Sequence, residues 1–221
     1  MADPIQDSLI REIDEDLRRE RYAKLWKTYG GYVVAAAVLL VVGVAGYQGW
    51  RSYDLDRREA TAALLAKATT LASDDPVQAL VTLRSVAEAG GGFATLARFR
   101  EAALLARGGD REGALSIYRR LEAEAADPLF RDLAVVLGAL HRLHEAGSGV
   151  DRAEIEGRLG PIAADGNPWR HSAREIVGIL ALQAGEARKA EEMFAALVAD
   201  LEAPEGMRAR ASELLAAARG S

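Results

Sequence analysis

Three histidines, 33 carboxylates and no cysteine are the side chains from which this chain would have to build a reactive centre. Without cysteine there is no thiolate nucleophile, no disulfide and no cysteine-ligated zinc or iron–sulfur cluster. His141 and His144, followed by Glu145 in "ALHRLHEAG", stand at i, i+3 and can share a helix face, a spacing that can hold a metal. A catalytic metal needs a third ligand and an open position, so these histidines read as exposed or capping residues. His171 stands by itself in "NPWRHSARE", where Trp169 beside Pro168 reads as a packing anchor at a helix start. Carboxylates are spread over polar faces, and no spacing among them selects an acid and base pair. The glycine breaks at 90–92 and 108–109 lack the surrounding pattern of a phosphate loop. No catalytic residue, no metal ligand set and no cofactor site is therefore expected, and the chain reads as a non-enzyme.

The elements around those residues are more informative. Half of the 221 residues are apolar, only 6% are aromatic, and Ala, Leu, Arg and Glu, all favourable in helices, are abundant. A net charge of −5 with no basic patch excludes nucleic-acid binding by counterion release.

From Thr28 to Trp50 the sequence carries no charge, "TYGGYVVAAAVLLVVGVAGYQGW". As a helix it covers about 35 Å at 1.5 Å per residue, enough for about 30 Å of hydrocarbon. Trp26, Tyr29 and Tyr32 at one end and Tyr47, Trp50 and Tyr53 at the other are placed like interfacial aromatic belts, with Lys27 and Arg51 able to reach headgroups. A soluble core helix would seldom stay uncharged for so long. A cleavable signal peptide is the other rival, given the small residues around Val44, Ala45 and Gly46. The long, patterned segment before the span argues instead for an uncleaved signal anchor over 28–50, in contact with the lipid bilayer. Six basic residues precede the span and four lie within 51–70, which sets the N-terminus in the cytoplasm and the C-terminal domain outside it, periplasmic in a double-membraned bacterium. Gly43, Gly46 and Gly49, with Ala45 to Gly49 as a small-xxx-small pair, mark either a helix-packing face or chance in a Gly- and Ala-rich span.

Residues 1–27 read as a cytoplasmic amphipathic helix. Asp3, Pro4 and Gln6 provide a start, and Ile5, Leu9, Ile13 and Leu17 recur every four residues opposite a face of mixed charge. Such a helix either lies on the membrane or binds a partner or a second copy.

Residues 51–221 read as short helices between turn signals. Asp75-Pro76, Asp127-Pro128 and Asn167-Pro168 mark helix starts, Asp151 with Glu154 forms a capping box, and Gly108-Gly109, Gly147 and Gly185 fall where helices stop. No segment alternates as a strand would. "ALLARGGDREGALSIYRRLEAEAADP" and "ILALQAGEARKAEEMFAALVADLEAP" align with a 76-residue offset: Gly109 on Gly185, Ala114 on Ala190, Tyr118 on Phe194, Leu121 on Leu197. Moving back 35 residues finds Ala79, Leu83 and Val86; a degenerate copy between is marked by Gly138, Gly147, Ala153 and Asn167-Pro168. Treating 76 as two units of 38 gives helix pairs at about 56–90, 93–126, 128–165 and 168–202, closed by a helix from Pro204 to Arg219. In "ALSIY" and "AEEMF" a small residue is followed four positions later by a large ring, so Tyr118 and Phe194 should be buried, with Ala102 and Gly178 at the small position of the first helix. The spacing matches tetratricopeptide repeats, although the consensus tryptophan is missing and the closing proline is late; a plain bundle of Ala-rich helices is the alternative. The expected fold is all-α: one transmembrane helix followed by a tetratricopeptide-like helical-hairpin solenoid.

Stacked hairpins line a concave surface with their first helices. By repeat register the candidates for a partner-binding groove are Leu64, Leu96, Phe99, Ala103, Glu175 and Ile179, with Phe99 equally placed to be core.

The stretch "EIDEDLRRERYAKLWKTYGGYVVAAAVLLVVGVAGYQGW" followed by degenerate repeats resembles the ancillary SecYEG translocon subunit family. The resemblance is most specific from Glu12 to Trp50. It implies a single-pass bacterial inner-membrane protein associated with Sec translocon subunits, with a membrane-anchored periplasmic prolyl isomerase chaperone and with exported client proteins, and it implies no cofactor and no catalysis. The same architecture would serve a scaffold in cell-envelope assembly or division.

Overall fold

The computed structural model describes residues 4–143 and 152–220, with side chains from Lys24 onward except Val33. The Asp3 start, the apolar stripe of Ile5 to Leu17, and His144, Glu145, Gly147 and the Asp151 cap lie outside the described residues or side chains. Two compact units divide at Ala60 and Thr61.

The first unit is one helix. α1 runs Pro4–Asp74 without a break, so the described part of 1–27, the stretch 28–50 and the first repeat helix from about 56 form one element. The reason is local: no proline stands between Pro4 and Pro76, and the Gly30-Gly31 pair is not followed by a capping residue. The ring of Trp26 lies against Gly30, where a Cβ would meet it at 3.2 Å. Within Lys24–Asp74, the most apolar stretch has a mean hydropathy of 2.0, so this helix is long and apolar enough to cross a membrane. A soluble core helix would bury that surface; instead Leu39 is 72% exposed and Val42 62%.

The second unit begins in the last turns of α1 and continues through α2 (Pro76–Glu88), α3 (Gly92–Arg107), α4 (Arg111–Glu124), α5 (Pro128–Leu143), α6 (Arg152–Ala163), α7 (Arg170–Gln183), α8 (Ala187–Ala199) and α9 (Glu205–Gly220). The described residues contain no strand. Turn chemistry sets the boundaries. Asp75 Oδ1 accepts the Gln78 N–H at 3.0 Å with Pro76 in the first turn, and Asp110 Oδ1 accepts the Gly113 N–H at 2.9 Å. Gly109 and Gly185 take φ of 90° and 70° at equivalent hairpin turns, a left-handed conformation that L side chains resist.

Among the described residues four apolar clusters hold the array, each built from three successive helices. Ala68, Leu83 and Ala97 join α1, α2 and α3. Ala102, Tyr118 and Ala134 join α3, α4 and α5. Val136, Leu159 and Val177 join α5, α6 and α7, and Ala181, Phe194 and Ala211 join α7, α8 and α9. Each cluster thus fuses one hairpin to the first helix of the next, the nearest-neighbour packing of a repeat solenoid.

One column of side chains carries the repeat. Three residues into each second helix stand Ala79, Ala114, Ile155 and Ala190, followed at +4 by Leu83, Tyr118, Leu159 and Phe194, and at +7 by Val86, Leu121, Ile162 and Leu197; all twelve are buried. This corrects the register of the degenerate copy, whose marker Ala153 is exposed. The first step of 35 residues stands, while the 76-residue offset divides as 41 and 35 rather than as two units of 38, the additional residues falling between α5 and α6. At the small position, a Cβ on Gly178 would meet Phe194 Cε1 at 2.7 Å, so the ring occupies the space that glycine leaves.

Candidate partner-binding surface

The six groove candidates do not form one surface. Leu64 on α1 and Leu96 and Ala103 on α3 are exposed. Phe99 is half-buried, its ring 6.3 Å from Tyr118 and 6.0 Å from Phe130, so it packs α3 onto α4 and α5. Ile179 packs against both of the last two clusters. Glu175 is half-buried and accepts from Arg210 of α9 at both oxygens, 2.9 and 3.2 Å, a bidentate pair that ties the terminal helix to α7.

The surface that remains is on α3. Leu96, Arg100, Ala103 and Arg107 follow one another at +4, +3 and +4 and therefore share a helix face. Between this face and α1 lies a notch of about 50 Å³, floored by Ala68, Ala72 and Leu83 and flanked by Arg100 and Arg107. Arg100 and Arg107 were not among the groove candidates read from the repeat register, although their spacing with Leu96 and Ala103 places them on the same face.

Among the described residues, His141 and His171 are drawn into packing and hydrogen bonding. His141 stacks on Tyr118 with centroids 5.5 Å apart and planes 21° from parallel, and burial raises the pKa of the Tyr118 phenol. His144 and Glu145 lie outside the described residues. Among the described residues, no three His, Cys, Asp or Glu side chains converge as a metal-ligand set. His171, read above as standing by itself, is buried and its Nε2 lies 2.8 Å from Asp200 Oδ2, because the turn after α8 returns to the start of α7. Arg170 reaches Asp200 at 3.4 Å and Glu202 at 2.5 Å in the same cluster. Trp169 fulfils the packing role expected of it, its Nε1 donating to the Leu129 carbonyl at 2.9 Å and its ring lying against the α5–α7 cluster.

The hydrogen bond from His171, followed by the backbone N–H of Glu202, lowers the Asp200 pKa from 3.8 to about 2. A carboxyl lowered in the folded state stabilises the fold above its unfolded pKa and loses that contribution as pH falls from about 4 toward 2. Asp200→Asn is therefore expected to lower the unfolding temperature at pH 5, with the difference from the wild type shrinking steadily below about pH 4 and being lost as pH falls through about 2. Thermal melts across that range check this, and a pH-independent difference would refute it.

A family model described as a tetratricopeptide repeat-like domain matches residues 23–214. No curated protein and no solved structure matches the chain. Domains of this kind are generally non-catalytic interaction modules.

Proposed function

Because the chain belongs to the tetratricopeptide repeat-like domain family, we propose that it is a non-enzymatic, membrane-anchored protein-interaction module that works beside the Sec translocon and helps handle newly exported proteins. The carrying observation is the joining, in one chain, of a lipid-length apolar helix to a solenoid of stacked hairpins. A solenoid presents continuous first-helix surface to partners, and an anchor holds that surface at the membrane where export occurs. The N-terminus lies in the cytoplasm and the domain from residue 51 in the periplasm of a bacterial inner-membrane protein. Sec translocon subunits, a membrane-anchored prolyl isomerase chaperone and exported clients are the partner classes. Two ionisable clusters of the solenoid, Glu175 with Arg210 and His171 with Asp200, tie one helix to another, which suits cohesion rather than turnover.

In-cell photocrosslinking through probes at Leu64 and Leu96, both exposed on first helices, tests this reading. Adducts with export-channel or chaperone proteins are expected. Adducts confined to cell-wall or division proteins would replace the reading with an envelope-assembly scaffold.

A further inference from the structure

Resting on the interaction-module reading, we propose that the notch between α1 and α3 docks an extended acidic segment of a partner protein. Arg100 and Arg107 take two of its carboxylates, and a small apolar side chain between them sits over Ala103. The charge pattern points to this occupant. The solenoid pairs most of its arginines: Arg84 with Glu101, Arg142 with Glu154, Arg152 with Glu186, Arg174 with Asp165 and Arg210 with Glu175. Arg100 and Arg107, in a chain of net charge −5, make no ion pair or hydrogen bond through their side chains among the described residues, yet both border the same notch.

Geometry narrows the ligand further. The two arginines are two helical turns apart, about 10 Å along the α3 axis. An extended polyproline II segment rises about 3.1 Å per residue with three residues per turn, so acidic residues three apart present both carboxylates on one side at about 9 Å. Guanidinium groups bind carboxylates through paired N–H donors, which favours such recognition over a diffuse charge contact. The floor of Ala68, Ala72 and Leu83 offers a small apolar contact between the two guanidinium groups. The fixed spacing of two carboxylate-binding groups favours an extended protein segment, and the vesicle arm of the test below separates it from an anionic lipid surface.

The test uses the full chain in phosphatidylcholine nanodiscs and a fluorescein-labelled Gly-Glu-Ala-Pro-Glu-Gly peptide, read by anisotropy. Binding that weakens at least tenfold with Gln in place of both peptide Glu residues, and at least tenfold in Arg100→Gln/Arg107→Gln, is expected. Arg119→Gln/Arg188→Gln, at exposed arginines elsewhere, should bind as the wild type does, and circular dichroism should show all three proteins equally helical. Equal binding by both variants, no binding by the wild type, or selective binding of phosphatidylglycerol vesicles over the peptide would overturn the proposal. The crosslinking experiment separates the two readings: export-channel adducts that persist while the peptide fails to bind refute the notch and leave the interaction module standing.

Discussion

Phe194→Ala is expected to cost about 3–5 kcal/mol of stability, the range for removing a buried aromatic ring from a core. Phe194 is fully buried, and its ring reaches the face of Gly178 on α7 while its cluster extends to Ala211 and Ala218 on α9. Three helices therefore lose one shared contact. Because each cluster joins only successive helices, the loss should stay local. Hydrogen exchange should show protection falling by about a hundredfold to a few thousandfold in α7–α9, at about 1.4 kcal/mol per tenfold, while α2–α4 are unaffected. A loss spread evenly over all helices, or one below 1 kcal/mol, would contradict the nearest-neighbour account. The reverse perturbation is coupled to it. Gly178→Ala places a methyl 2.7 Å from the ring and should cost about 1–3 kcal/mol by overpacking. That penalty should shrink in a Phe194→Leu background, since the two positions share one volume.

Leu40→Arg/Val44→Arg is expected to abolish membrane retention. Each arginine at the centre of a span costs about 2.5–3.5 kcal/mol for insertion, and each apolar residue lost forfeits a further few tenths. Together they outweigh much of the favourable transfer of a single span. Both positions lie mid-span on exposed helix surface, 67% and 55% accessible, so neither arginine has a protein interior to disturb. Val81→Arg, on the exposed face of α2, is the matched control and should leave retention unchanged. Alkaline extraction of cell membranes reads the difference: the double variant in the supernatant, the control in the pellet. Equal retention of both would show that something other than the apolar helix holds the protein.

How far the sequence could be read depended on which contacts leave a local trace. Ala114 with Tyr118, and Ala190 with Phe194, announce themselves because a small residue and a ring four positions later are rare enough to be noticed. The same column in α6 uses Ile155, Leu159 and Ile162, an ordinary apolar helix pattern, so its register emerged only when α6 was seen to begin at Arg152. The continuity of α1 was hidden for a different reason. A change from amphipathic to apolar to amphipathic composition marks a change of surroundings, and the backbone need not break where the surroundings change. On the first helices, periodicity separates inside from outside but cannot separate the face that meets the next hairpin from the face that meets a partner. Ile179 consequently reads as a groove residue and Phe99 as either groove or core, and both side chains are drawn into packing. The pairing of His171 with Asp200 spans 29 residues and carries no sequence signal at all.

The central claim is that an embedded helix carries the solenoid on the far side of a membrane from the N-terminus. A chain with no native cysteine allows a direct measurement by single-cysteine labelling with a membrane-impermeant maleimide. In spheroplasts, Ser212→Cys, exposed on α9, should react at once, whereas Ser8→Cys should react only after the inner membrane is opened. Prompt labelling of both positions, protection of both, or recovery of the uncleaved chain in the soluble fraction would contradict it.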